Sequence, residues 1–112
     1  MEKSRVLTAL SAMAHETRLE IVRLLVPCKG DGMAAGAIAE SLGISPSGLT
    51  FHLNSLEQAG LIGSKRQGRQ VIYATNTDRL GGVIAYLVDD CCGRDPEVCK
   101  RTELGRFTLP DG

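Results

Sequence analysis

The chain has 112 residues, 13 basic and 13 acidic side chains, and four cysteines. That length suits one domain, and no apolar run is long enough to cross a membrane. The N-terminal residues lack the long apolar core of a signal peptide, so we expect a cytoplasmic protein with no membrane contact. Cysteines stay reduced there, which favours soft-ion binding or redox chemistry over a disulfide scaffold.

Apolar residues recur at helical spacing near the N-terminus and predict two helices. The first covers residues 3–14 and the second residues 16–26, where Pro27 stops the helical hydrogen-bond ladder. In the second helix the predicted inner stripe is led by Leu19, Val22 and Leu25. Arg18 and Arg23 are expected to face away from that stripe.

Two shorter helices follow a polar loop. The third covers residues 35–42 and ends at Gly43, a residue suited to the left-handed position after a helix. Ser45 is a good N-cap and Pro46 a good first residue for the fourth helix, which runs to residue 59.

The periodicity then becomes that of strands. Residues 62–66 and 69–74 predict two strands with a tight turn at Gln67 and Gly68. A fifth helix with a wide apolar face begins near Thr77 or Asp78 and stops at Gly93. This order predicts a mainly α fold with a β-hairpin wing, the winged helix-turn-helix. We expect it to be a dimer, with residues 1–93 as the DNA-binding and dimerisation domain and residues 94–112 as a tail.

The fourth helix carries the pattern of a DNA-reading helix. If Leu49, Leu53 and Leu56 face the core, the opposite face is small, polar and uncharged. Such residues can approach base edges closely. An ordinary solvated face would hold Lys, Glu and Arg, yet Glu57 is the only charged residue between Ser45 and Ser64. The predicted DNA-contacting residues of this helix are Ser45, Ser47, Thr50, Phe51 and Asn54.

Three cations bracket the hairpin turn, namely Lys65, Arg66 and Arg69. Beside a reading helix they suit phosphate or minor-groove contact; alone, they would be solubilising charge on an edge strand. Phe51 could instead pack under the wing. His52 is expected to be a hydrogen-bonded helix residue and not a metal ligand.

The charge is unevenly distributed along the chain. Nucleic-acid binders are usually basic overall, so zero net charge weighs against that class. From Gly43 to Ala74, however, one acid and three bases give +2, whereas six acids and four bases from Asp89 to Gly112 give −2. A basic reading head is thus offset by an acidic tail.

Three segments together resemble the ArsR/SmtB family of metalloregulatory repressors. Residues 15–25 resemble the family's second helix, and residues 44–53 resemble the recognition helix of its arsenic-sensing branch with C-terminal cysteines. Residues 68–73 are similar to that branch's wing, and the resemblance covers residues 7–99. Two other branches are not matched, because residues 33–37 hold no cysteine and the fifth helix holds no histidine.

The cysteines Cys91, Cys92 and Cys99 form the predicted effector site. Thiolates select soft ions, and trivalent arsenic completes its shell with three sulfurs. Zinc usually needs a fourth ligand, which a neighbouring aspartate could supply. A disulfide from Cys99 to either of the others would make a redox switch. Cys28 has no sequence partner and is left outside the site.

The resemblance implies a homodimeric repressor of arsenic-resistance genes that pairs through its first and fifth helices. It would bind double-stranded operator DNA and be released by arsenite. Alternatives are a response to cadmium, zinc or antimony, a response to thiol oxidation, and a constitutive DNA-binding module with structural zinc. A thiol enzyme is disfavoured, because the cysteines end a helix, where the negative dipole opposes thiolate formation. We therefore expect no enzyme activity.

Overall fold

The computed structural model describes residues 2–28 and 30–92 of the chain. Within these residues, five helices and three strands follow in the order α1 Lys3–Met13, α2 Glu16–Leu25, β1 Met33–Ala34, α3 Ala35–Leu42, α4 Pro46–Gln58, β2 Ile62–Gln67, β3 Gln70–Thr75 and α5 Thr77–Cys92. A 3-10 turn, Val26–Cys28, follows α2. The winged helix-turn-helix prediction is confirmed, and none of the described helices is long and apolar enough to span a membrane.

The turn of the wing is formed by different residues from those that the sequence predicted. Gln67 pairs with Gln70, so the two turn residues are Gly68 and Arg69 and not Gln67 and Gly68. Gly68 has a φ of 65°. Two-residue hairpin turns require a left-handed residue at their first position, and glycine takes it without steric cost. The position of that glycine therefore sets the register of the hairpin.

A third strand, β1, was not expected from the sequence. It pairs with β3 through Met33 opposite Tyr73 and Ala34 opposite Ile72, which gives the sheet order β1-β3-β2. Two residues are too few to show a strand period. A side chain at Gly32 would overlap the backbone carbonyl of Tyr73. Glycine is therefore required where this strand approaches β3.

The core is aliphatic and centred between α2, α3 and α4. The predicted inner residues of α4 are confirmed, since Leu49, Leu53 and Leu56 are each no more than 1% exposed. Each such burial stabilises the fold by about 1.5–3 kcal/mol. The other large residues that are almost fully buried are Ile21, Leu25, Ile38, Leu61 and Val83.

The buried stripe of α2 lies to one side of the predicted one. Ile21, Val22 and Leu25 are buried, whereas Leu19 remains 46% exposed. Arg18 does not face away from the core, because it is half-buried and contacts α4. Arg23 does face outward, as expected. The helix is therefore rotated so that an arginine sits against α4.

The start of α5 is attached to the end of α4. Asn76 caps α5 by accepting a hydrogen bond from the Arg79 backbone N–H at 3.1 Å. The Arg79 guanidinium donates to the Ala59 carbonyl, also at 3.1 Å. Asn76 N–H donates to the Leu61 carbonyl at 2.8 Å. Charge-assisted donors at a helix C-terminus are favourable, so this joint fixes α5 relative to α4.

Candidate nucleic-acid interface

The first turn of α4 is set by its cap. Ser45 Oγ accepts a hydrogen bond from Gly48 N–H at 3.2 Å, and Pro46 occupies the first helical turn. Thr50 Oγ1 donates to the Pro46 carbonyl at 2.9 Å. The hydroxyls of Ser45 and Ser47 lie 3.5 Å apart. These bonds order the hydroxyls of an exposed turn while leaving each oxygen able to accept a further hydrogen bond.

The outward face of α4 is the one that the sequence predicted. Ser47, Thr50, Phe51 and Asn54 are all exposed. Phe51 is 64% exposed and is not packed under the wing. An aromatic ring held in water without cover is unfavourable for an isolated chain. Such a residue is typical of a surface that a ligand covers.

The wing presents exposed, positively charged side chains. Lys65, Arg66 and Arg69 are exposed, and none forms an ion pair with another described residue. Lys65 and Arg66 lie on β2, and Arg69 lies in the turn after Gly68. Cations that are free of acidic partners keep their full attraction for a polyanion.

The base of the wing is tied to α4. Ser64 Oγ donates to Glu57 Oε2 at 2.7 Å. Ser64 lies opposite Tyr73 in the hairpin. Burial, together with the nearby Glu57 charge, raises the pKa of Tyr73. The one acidic residue of α4 therefore fixes the wing against the helix.

A cluster that the sequence analysis missed joins α2 to α4. Arg18 Nε donates to His52 Nδ1 at 3.1 Å, which confirms His52 as a hydrogen-bonded helix residue. The His15 and His52 ring centroids are 4.6 Å apart, and the Arg18 guanidinium carbon lies 5.5 Å from the centre of the Phe51 ring. Burial lowers the pKa of His52, and the charges of His15 and Arg18 lower it further.

The predicted metal ligands lie elsewhere. Cys91 and Cys92 are the last two residues of α5, but their side chains and the whole of Cys99 lie outside the described residues. Within the described part of the chain, no three His, Cys, Asp or Glu side chains come together as a metal site. Cys28 is half-buried after α2, and its Sγ lies 3.6 Å from the Leu24 carbonyl.

Comparisons with known proteins agree with this architecture. A family model described as a helix-turn-helix domain matches residues 13–63, which run from the end of α1 to the start of β2. The transcriptional repressor SdpR of Bacillus subtilis is 38% identical over 78 residues, covering 70% of this chain and 83% of the relative. An ArsR-like transcriptional regulator from Rhodococcus has the same fold, with a TM-score of 0.70 and 23% identity over 94% of this chain and 96% of that one.

The chain belongs to the ArsR/SmtB family. It is therefore a DNA-binding transcription regulator and not an enzyme. A homodimeric winged helix-turn-helix DNA-binding domain from Mycobacterium bovis also matches, with a TM-score of 0.64 and 24% identity over 82% of this chain and 83% of the other. The exposed face of α4 and the wing cations are the candidate DNA-contacting residues of such a regulator.

Proposed function

We propose that this protein is a homodimeric, arsenic-responsive repressor that acts on operator DNA in the cytoplasm. The observation that carries the DNA-binding half of this proposal is the exposed, uncharged face of α4 beside a wing whose cations have no described acidic partner. Its relative SdpR is named as a transcriptional repressor, which supports repression here.

In this proposal α4 enters the major groove. The Asn54 amide is suited to adenine, and the Phe51 ring to a thymine methyl group. Ser45, Ser47 and Thr50 offer hydroxyls to bases or phosphates. Lys65, Arg66 and Arg69 contact phosphates or the adjacent minor groove. The exposed face of α4 would therefore carry sequence discrimination, and the wing would carry affinity.

The dimer is proposed to form through α1 and α5. Leu7 on α1 is 57% exposed, and Ile84 and Leu87 on α5 are 44% and 48% exposed. Exposed apolar residues on α5, together with Leu7 on α1, favour burial against a second copy. A twofold dimer would place two α4 helices about 34 Å apart, in successive major grooves. The homodimeric structural neighbour supports dimer formation.

The effector is proposed to be trivalent arsenic, bound by Cys91, Cys92 and Cys99. Three cysteines lie within nine residues, and the first two end α5, the helix that also carries part of the proposed dimer surface. Thiolates bind soft, thiophilic ions. Arsenic bound there would change the conformation that α5 favours. Linkage then requires that arsenic and DNA weaken each other's binding by the same free energy, typically about 1–3 kcal/mol.

A titration of DNA binding tests the proposal. Fluorescence anisotropy would follow release of a labelled operator duplex by arsenite, cadmium or zinc, for the wild type and for Cys91→Ser, Cys92→Ser and Cys99→Ser. We expect arsenite to release the wild type and none of these three variants, all of which should bind DNA normally in its absence. Cys28→Ser is the matched control and should respond like the wild type. Release of Cys99→Ser at the wild-type arsenite concentration would contradict the three-thiol site.

The same titration separates the other candidates. Release by cadmium or zinc at lower concentration than arsenite would assign a different soft metal. Release by a mild oxidant, reversed by a reductant, would assign a thiol switch. Protein that carries stoichiometric zinc after purification without arsenic, and that binds DNA regardless of arsenite, would be a constitutive module.

A further inference from the structure

We propose that Arg18 is a positioning residue for DNA reading: from α2, its guanidinium fixes the orientation of His52 and Phe51 on α4. The inference rests on the proposed role of α4 as the reading helix. It adds a residue outside both α4 and the wing to the determinants of sequence specificity, and it adds His52 as a hydrogen-bond donor on that surface.

The first support is the hydrogen bond across the two helices. Arg18 Nε donates to His52 Nδ1 at 3.1 Å, and both residues are half-buried. An arginine has no acceptor and is always charged, so Nδ1 must be unprotonated. A neutral imidazole whose Nδ1 accepts carries its proton on Nε2. Arg18 therefore selects the His52 tautomer whose Nε2 is a donor.

The second support is the contact with Phe51. The Arg18 guanidinium carbon lies 5.5 Å from the centre of this ring, within the range of a cation–π interaction. The Phe51 and His52 rings also meet in an edge-to-face arrangement, with centroids 5.5 Å apart. Phe51 is otherwise 64% exposed. Arg18 and His52 are thus the contacts that restrict an aromatic ring facing the groove.

The third support is a second contact that His52 makes with the start of α2, through His15. The His15 ring lies 4.6 Å from the His52 ring, and His15 itself is held as the N-cap of α2 by Thr17 N–H at 3.1 Å. Among the described residues, the ionisable groups that face His52 are His15 and Arg18, both from α2. Both disfavour a charged His52. The neutral tautomer is thereby kept in place.

A double-mutant cycle tests this inference on the full-length protein. The probes are a duplex selected by the wild type from a random library and a random-sequence duplex of equal length. Arg18→Lys keeps the charge but loses the planar Nε–H donor. We expect it to lower the ratio of selected to random affinity roughly tenfold, equal to about 1.4 kcal/mol. His52→Leu should lower the ratio similarly, and the double variant should be no worse than either single variant.

His52→Asn and Arg23→Gln are the matched controls. Asparagine offers an acceptor near the position of Nδ1, so His52→Asn should retain more of the ratio than His52→Leu. Arg23 lies on the same helix but is exposed, with Glu20 at 4.0 Å as its described partner. Arg23→Gln should therefore keep the wild-type ratio. Thermal unfolding of each variant would show whether a loss comes from misfolding.

The outcomes are distinguishable. If Arg18→Lys keeps the wild-type ratio, or if the Arg18 and His52 effects add in the double variant, the positioning role is overturned. Rescue by lysine would instead make Arg18 a simple phosphate contact. If the wild type itself cannot tell the selected duplex from the random one, the assignment of α4 as the reading helix fails, independently of Arg18.

Discussion

The reading helix and the wing are built in opposite ways. The exposed face of α4 is uncharged, and the helix is tied at several points: by its Ser45 cap, by Arg18, and by the Arg79 contact at its end. The wing is held near its base, where Ser64 bonds to Glu57 and β3 pairs with β1, and its cations have no acidic partner among the described residues. A rigid neutral surface suits discrimination between bases, whereas an untied charged one suits the uniform phosphate backbone.

Removal of the wing charge should have the largest effect on DNA affinity. We expect Lys65→Ala, Arg66→Ala and Arg69→Ala together to weaken binding to selected and random duplexes alike, by roughly a hundredfold at about 0.1 M salt. The slope of log affinity against log salt should become shallower, by about 0.9 for each phosphate that the variant no longer neutralises. Anisotropy titrations at several salt concentrations measure both quantities.

One outcome of these titrations would contradict the wing prediction. If the triple variant loses affinity only for the selected duplex, with an unchanged salt slope, the wing reads sequence and the contrast with α4 disappears. Because all three residues are exposed, the variant should unfold at the wild-type urea concentration. That measurement serves as its folding control.

A single substitution on the face of α4 should show the opposite pattern. We expect Asn54→Ala to lower affinity for the selected duplex by about 1–3 kcal/mol and to leave binding to random DNA and the salt slope unchanged. Asn54 is exposed, so its removal should not destabilise the fold. Selection of a new duplex library with the variant would show relaxed preference at one position of each half-site. An unchanged consensus would remove Asn54 from the reading surface.

The exposed face of α4 could be predicted from the sequence because the residues that determine it lie within the helix or directly before it. Three leucines at helical spacing determine which side is buried, and a serine–proline pair determines where the helix begins. The exposed residues follow from that geometry alone. The wing was predicted for the same reason, apart from a shift of one residue in its turn.

The contact between Arg18 and His52 is not local. The two residues are 34 positions apart, and helical spacing alone does not say which helices will touch. One signal was present: Arg18 precedes Ile21, Val22 and Leu25 by three, four and seven residues, so it lies on their side of α2. The short strand β1 left no such signal, since its two residues are defined only by pairing with β3.

The smallest predicted effect is a difference between α4 and the wing in how they respond to pH. The folded-state pKa of His52 is lowered by burial and by His15 and Arg18. As pH falls through about 6.5, the unfolded chain therefore takes up a proton at His52 before the folded chain does. Stability contributed by the neutral ring is complete above that pH and is lost as pH falls towards the folded pKa.

Urea unfolding of the wild type and His52→Asn, from about pH 7.5 to 5.5, isolates this contribution, because every other group titrates in both proteins. We expect the wild type to lose more stability on acidification than the variant. The salt slope of DNA binding, which reports the phosphate contacts of the wing, should not fall with pH. Equal acid sensitivity in the two proteins would mean that His52 is not held neutral by α2, and the difference in construction between α4 and the wing would then rest on α4's caps alone.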